Sequence, residues 1–328
     1  MFSTSNLDDA RGKAIGPLVS IIIPTYNRPR LLTEAIGSAL GQTYRHIEVV
    51  VSENAGPEVS EAVCRSFGDE RVRYRRNARN LGIAGNIREA SKCARGVLVA
   101  HLHDDDILEP EFVERLLPGM TTSNAVVVGF GDHSVTDVAG TIDPGSTQRF
   151  RRKWKRDQLS AGIHQPFLQI GLVNRSIAPT CLIRKDAVAW DDLVDEAGST
   201  YDWYLWYLLG RDGGAANYVS EPVYRHRLHG GQETAARVRM GEGFLFCVRA
   251  VLEDPRVRSV ASSLQDLLTS ALAGHGMGLV RIGRRTEGRA ALREALRRGA
   301  GPGVRMRLAL SYAPWTIGVR DTLVSPFR

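Results

Sequence analysis

The strongest constraint in this chain is an alternation of buried-strand and amphipathic-helix patterns across its first hundred residues. Leu18-Val-Ser-Ile-Ile-Ile23 is a β-branched run stopped by Pro24, and Ile47-Glu-Val-Val-Val51 is a second, ending in the turn Ser52-Glu-Asn-Ala-Gly-Pro57. Such near-continuous apolar runs read as parallel strands covered on both faces. Between them, Pro29 and the LLTEAIGSAL that follows it read as a helix start and its amphipathic body. A helix around residues 59–67, a short strand at 72–74, a helix at 85–94 and a strand at 97–102 continue the pattern. Alternating elements of this kind predict an α/β fold: a mostly parallel, Rossmann-like sheet with right-handed crossovers, flanked by helices. Ligands bind such sheets beyond the carboxyl ends of the strands. Pro24-Thr-Tyr-Asn27, Ser52-Glu-Asn54 and His103-Asp-Asp-Asp106 are therefore expected to converge.

Beyond Phe112 the pattern loosens. Residues 125–130 read as a strand, and the basic cluster at 149–155 as a loop. Residues 201–209 read as an aromatic-rich helix, followed by a short strand near Val219 and helices from about Gly241. A length of 328 residues with 43% hydrophobic and 24% charged side chains suits a globular α/β domain with a helical appendix, and excludes a disordered chain. The expected division is a polar leader at 1–17, the α/β domain at 18–240 and a basic helical region at 241–328.

The net charge of +7 is concentrated at the end. From Val248 onward there are 14 Arg and no Lys against 6 acidic residues, a net of +8. Residues 290–298 and 304–310 space their leucines three or four apart with flanking arginines, as in a basic amphipathic helix lying in a membrane interface. Leucines packed on the protein with arginines solvated are the competing account. The chain shows no nucleic-acid module, so nucleic acid is not an expected partner. Cys64, Cys93, Cys181 and Cys247 form no CxxC pair and fit reduced thiols in a cytoplasmic protein. The opening MFSTSNLDDARGKAIG lacks the apolar core of a signal peptide, and no apolar run approaches the roughly 18 residues of a membrane span.

Asp104-Asp105-Asp106 carries the clearest chemistry. Three adjacent carboxylates repel one another, and a fold that gathers them usually supplies a cation. Oxygen-rich sites favour Mg²⁺ or Mn²⁺, which typically share one or two carboxylates with substrate phosphates. A solvated acidic turn or a helix cap before Leu108-Glu-Pro is the alternative.

Taken in order, VSIIIPTYNRPRLLTEAIGSALGQTYRHIEVVV, SENAG, NLGIAGNIREA and HLHDDDILEP resemble the start of an inverting family 2 glycosyltransferase with the GT-A fold. The match runs from about residue 18 to 118, with a second block at 201–234. The resemblance implies that Pro24, Thr25, Tyr26 and Asn27 line the nucleobase and ribose pocket, with Glu53 standing where the family usually has Asp. It places Asn80 and Gly82 in a loop over the nucleotide, Asp104 near the ribose or the metal, and Asp105 and Asp106 on the metal. His103 stands where another Asp is common. Asp202 takes the place of the general base, with Tyr201 in place of the usual Glu, although Asp202 would also suit a helix cap. Trp190, Trp203 and Trp206 would either stack on sugars or lie in the core. Tyr224-Arg-His-Arg-Leu-His-Gly-Gly-Gln-Glu-Thr234 resembles the closing loop, with Arg227 neutralising phosphate, His229 on phosphate or metal, Gln232 matching, and Arg225 and His226 at the surface. The activity implied is metal-dependent inverting transfer from a UDP-, GDP- or dTDP-sugar to a hydroxyl of a glycan, lipid-linked or small-molecule acceptor, in cell-envelope or polysaccharide synthesis. The alternative is a catalytically silent sugar- or nucleotide-binding relative. A nucleotidyltransferase would show a glycine-rich loop after the first strand, which TYNRPR lacks.

Overall fold

The computed structural model describes residues 16–56, 59–228 and 237–312. The chain divides into two compact units, the first formed by Met1–Asp195 with Tyr201–His229 and the second by Glu196–Thr200 with Gly230–Arg328.

In the first unit, β1 (Val19–Thr25), α1 (Pro29–Leu40), β2 (Ile47–Glu53), α2 (Val59–Ser66), β3 (Val72–Arg76), α3 (Gly82–Cys93) and β4 (Leu98–His101) alternate as the apolar runs require. β1 and β2 are buried along their whole length. Val19, Ile21 and Ile23 share one apolar cluster with Val49 and Val51 of β2 and Leu32, Ala35 and Ile36 of α1. Strand alternation turns Ser20, Ile22, Val50 and Ser52 to the other face, where α3 packs on β1 and β2. Each buried Leu, Ile or Val contributes about 1.5–3 kcal/mol, so this two-sided core fixes the strand order. Pro24 lies inside a central strand, a position normally closed to proline. It is tolerated because the β4 ladder ends at Ile22–His101, two residues earlier.

The unit continues with β5 (Ile107–Leu108), α4 (Phe112–Thr122), β6 (Val126–Thr136), α5 (Pro144–Lys153), β7 (Gly162–His164), β8 (Leu182–Arg184), α6 (Tyr201–Gly210) and β9 (Ala215–Arg227). The sheet runs β3-β2-β1-β4-β8-β6-β9-β5, with β7 also on β9. It is parallel from β3 to β4 and mixed beyond, because β8 runs antiparallel between β4 and β6. The result is a mixed α/β sheet flanked by helices.

Two expectations change here. The basic cluster at 149–155 is largely helical rather than a loop: Asp143 caps α5 by accepting from Ser146 N at 3.0 Å, and Pro144 occupies the first turn. The short strand near Val219 is a 13-residue strand, β9, parallel to β6. Its register shifts opposite Pro222, where a missing N–H makes a bulge the natural accommodation. Tyr224–Arg227, expected in a closing loop, therefore forms the end of a sheet strand.

The second unit consists of α7 (Arg237–Leu252), α8 (Ala261–Arg281), α9 (Arg285–Arg297) and α10 (Pro302–Leu310). Leu292 and Ala295 of α9 are fully buried, and α9 packs on α8. The leucine face of α9 is therefore engaged within the unit. α10 buries no residue, and Met306 and Leu310 are exposed. Among the described residues, no helix is long and apolar enough to cross a membrane.

Candidate active site

β1 delivers Thr25 to the sheet edge beside the end of β4. Thr25 Oγ1 donates to Asp104 Oδ2 at 2.7 Å, and Asn54 N donates to Thr25 O at 3.0 Å, so the three expected segments do converge. Asn27 then adopts a left-handed backbone, φ 54°, which Asn tolerates better than most residues. The turn brings Arg28 back over the carboxylates. Its Nη1 lies 3.1 Å from both Asp104 Oδ1 and Asp105 Oδ2. Burial and the adjoining Asp105 push the Asp104 carboxyl above its ordinary value, against Arg28 and Thr25.

Asp106 faces the other half of the sheet. Its Oδ1 accepts from Arg227 N at 3.1 Å and from His226 Nδ1 at 3.1 Å. Burial disfavours a charged His226, but Asp106, with Asp105 behind it, outweighs that and holds the imidazole above its usual pKa. His103 and Tyr201 join through Nε2 and the phenol oxygen at 2.9 Å, tying the β4 end to the start of α6. His103, Asp105 and Asp106 each offer an atom within 4.8 Å of the others. Donors roughly 2.1 Å from one divalent cation stand at most about 4.2 Å apart, so a small inward rotation of these side chains would complete such a site. The Tyr201 hydrogen bond also fixes the orientation of the His103 ring within this group.

On the β2 side, Asn54 organises the loop before α3. Its Nδ2 donates to Asn80 Oδ1 at 2.8 Å and its Oδ1 accepts from Leu81 N at 2.9 Å, while Gly82 takes φ 70°. Asn77 and Asn86 extend this amide network to Ser52. Glu53 is fully buried. Its Oε2 accepts from Ser60, and its Oε1 has no hydrogen-bond partner. Pro24 is buried at the end of β1, and Tyr26 is half exposed beside it.

Asp202 lies in the first turn of α6, next to Tyr201. Desolvation raises its pKa, opposed by the Trp203 N–H and by the charges of Arg175 and His103. The carboxylate thus stands within electrostatic reach of the acidic cluster, inside the helix rather than at its cap.

Several roles expected from the sequence shift. Trp190, Trp203 and Trp206 are core residues, with Trp203 Nε1 donating to Leu172 O and Trp190 Nε1 to Lys185 O. The Arg227 guanidinium is buried against Glu34, so it is the backbone of Arg227 that meets the acidic cluster. His226, expected at the surface, is the imidazole on Asp106, and Arg225 makes a two-point ion pair with Glu109. His229 and Gln232 lie outside the described residues. Arg28 was missed: it sits inside the TYNRPR motif, and a cation one residue after a turn-forming Asn was the available signal.

A mixed sheet whose strand ends gather the loop before α3, three aspartates and the Asp202 carboxylate of α6 has the layout of a GT-A fold. The sequence model of glycosyl transferase family 2 matches residues 20–174. An uncharacterized glycosyltransferase, RP339 of Rickettsia prowazekii, is 37% identical over 224 residues, covering 66% of each chain. The fold is similar to that of Staphylococcus aureus TarS 1–349 solved with UDP-GlcNAc (TM-score 0.64, 15% identity, 89% of this chain and 86% of that one). It is also similar to the mannosyltransferase PcManGT of Pyrobaculum calidifontis solved with GDP-Man and Mn²⁺ (TM-score 0.59, 15% identity, 90% and 79%). The first unit of this chain is thus a family 2 glycosyltransferase domain. The matched stretch spans 68% of the length of one such relative, from Haemophilus influenzae, and as little as 20% of another, from Rickettsia conorii.

The histidines allow a direct check of the site's electrostatics. His226 should titrate above about 6.5, and Asp106→Asn should bring it down. His101, buried beside β1, should stay neutral to about 3. Imidazole ¹⁵N chemical shifts followed against pH report both. A His226 midpoint below the ordinary value would remove the Asp106 pairing.

Proposed function

We propose that this domain transfers a glycosyl group from a nucleoside diphosphate sugar to an acceptor hydroxyl with inversion, using Mn²⁺ or Mg²⁺. The observation that carries the reading is the Tyr201–His103 hydrogen bond, which ties the start of α6, where Asp202 lies, to the His103–Asp105–Asp106 cluster. In the proposed reaction Asp202 accepts the acceptor hydroxyl's proton as that oxygen bonds the anomeric carbon. The bond from that carbon to the diphosphate breaks on the opposite face. A bound divalent ion would supply charge stabilisation for the departing diphosphate. His103, Asp105 and Asp106 would hold it, and the imidazole in this set favours Mn²⁺ over Mg²⁺. His229 remains a proposed further contact to phosphate or metal.

Arg28, partly exposed over Asp104 and Asp105, is better placed than Arg227 to meet phosphate oxygens. Thr25, Tyr26, Asn27 and Glu53 are proposed to seat the base and ribose, with Asn80 and Gly82 closing over them. UDP-, GDP- and dTDP-sugars are candidate donors; TarS with UDP-GlcNAc and PcManGT with GDP-Man support a nucleotide sugar. A cell-envelope or polysaccharide glycan is the proposed acceptor class.

Asp105→Asn should weaken Mn²⁺-dependent binding of UDP or GDP roughly tenfold or more, measured by calorimetry with and without the ion. Unchanged affinity would retire the metal assignment.

Asp202→Asn should lower kcat roughly 100-fold or more with donor binding intact. Because the Asp202 pKa is raised by the fold, its ionised form costs stability above that pKa, so the Asn variant should melt no earlier than wild type at neutral pH. In the wild type, the acid limb of the kcat/KM profile should fall as pH drops through a value above the ordinary Asp range. Near-normal turnover of the variant would leave Asp202 as a structural residue.

Peripheral contact with an anionic membrane is proposed for α10, where exposed Met306 and Leu310 lie among Arg305 and Arg307. Flotation with anionic vesicles, weakened by salt and by Met306→Ser/Leu310→Ser, is the expected result. Protein that stays out of the vesicle fraction at low salt rules it out.

A further inference from the structure

Residues 144–156 hold six cations (Arg149, Arg151, Arg152, Lys153, Lys155 and Arg156) and no acidic side chain. α5 orders most of them. Its start is pinned to β6: Asp143 N donates to Val135 O at 2.8 Å, and Val135 N donates to Thr147 Oγ1 at 2.9 Å. The inner face of α5 carries Phe150, with Trp154 just past its end. The Phe150 ring lies 5.9 Å from His133 and 5.8 Å from His226, the imidazole on Asp106. Two of the six cations also point inward. Arg151 pairs with Asp132 at 3.0 Å. Arg156 is buried, donating from Nε to Ser176 O at 2.7 Å and lying over Trp154 at 4.9 Å.

The other four, Arg149, Arg152, Lys153 and Lys155, are exposed. Arg149 donates to Ser146 Oγ and Lys155 to Asn174 Oδ1, both neutral groups, and Lys153 lies 5.6 Å over Phe150. Asp143, the carboxylate near Arg149, is committed to the helix cap. The half charge at a helix C-terminus favours a cation there, but Arg151 and Arg156 already stand at that end.

The position of the patch matters as much as its sign. The proposed nucleotide-seating residues lie on β1, β2 and the loop before α3. α5 lies on β6, across Asp104–Asp106 from them in the strand order. A donor held on the first side leaves the α5 side for the acceptor.

We propose that α5 is the docking helix for an anionic acceptor, a glycan or polyol chain whose phosphodiester or carboxylate groups lie along Arg149, Arg152, Lys153 and Lys155 while one of its hydroxyls reaches Asp202. This deepens the glycosyltransfer reading and rests on it. The shared chemistry is a regularly charged polyhydroxyl chain. Cations along α5 and just past its end recognise it by long-range attraction that salt screens.

The test uses the full chain and three probes of matched length: a phosphodiester-linked glycerol oligomer, an oligogalacturonate and a neutral dextran. Two variants are compared with wild type, Arg149→Gln/Arg152→Gln/Lys153→Gln on α5 and Arg258→Gln/Arg281→Gln/Arg285→Gln, exposed arginines of the second unit outside α10. The wild type should bind at least one anionic probe and not dextran. The α5 variant should lose roughly tenfold or more in affinity, with unchanged UDP or GDP binding in Mn²⁺, and the second-unit variant should bind as wild type. Whichever anionic probe binds more tightly identifies phosphate or carboxylate as the recognised group. Equal affinity for dextran, or a loss confined to the second-unit variant, overturns the proposal while leaving the transfer reading in place. No nucleotide binding by the wild type overturns that reading and this proposal with it.

Discussion

The site depends on how three neighbouring carboxylates are kept together. Asp104, Asp105 and Asp106 follow a buried strand, where like charges in a low dielectric repel strongly. Their compensation is divided between two halves of the sheet. Thr25 and Arg28 arrive from β1, and His226 and the Arg227 N–H arrive from β9. Each partner exists because a backbone feature aims it: the left-handed Asn27 for Arg28, and the register shift at Pro222 for the end of β9. The acidic cluster is therefore a node to which the sheet's two halves are fastened, as well as the seat proposed for a cation.

The parallel half was legible in the sequence mainly because β1, β2 and β4 are buried on both faces and so read as largely apolar runs. β1, β2, α1 and β4 fall within a residue or two of where periodicity puts them. The mixed half was legible only in part: the start of β6, α6 and the middle of β9 were read, while β5, β7, β8, α5 and the full extent of β9 were not. β5 has only two residues, and β9 carries polar side chains and Pro222 because part of it is exposed or bulged. α5 has a low apolar content, and its start is signalled only by Asp143-Pro144, a pair equally at home in a turn.

The same division governs the site. Thr25, Asn54 and Asp104 could be grouped in advance because they end or follow readable strands, and Asn80 joined them through the family resemblance. His226 could not, since its role depends on β9 pairing with β5 and β6, contacts far apart in sequence. The tryptophans near α6 illustrate the converse. An apolar helix buried all round looks, in sequence, like an aromatic binding face, and only packing separates the two. Tyr201 and His103, two departures from the family's usual residues, turn out to touch each other.

The division of the carboxylates' partners has a consequence for synthesis on the ribosome. Arg28 precedes Asp104 by 76 residues, so the first half of the compensation is already available when the acidic segment emerges. His226 follows Asp106 by 120 residues, and non-local pairing of that kind is slow to form. The growing chain can therefore build β1, β2, β3 and β4 around a half-neutralised site, and the second clasp closes only after β9 has left the tunnel. A nascent chain stalled before His226 would carry an assembled parallel half and an open acidic edge.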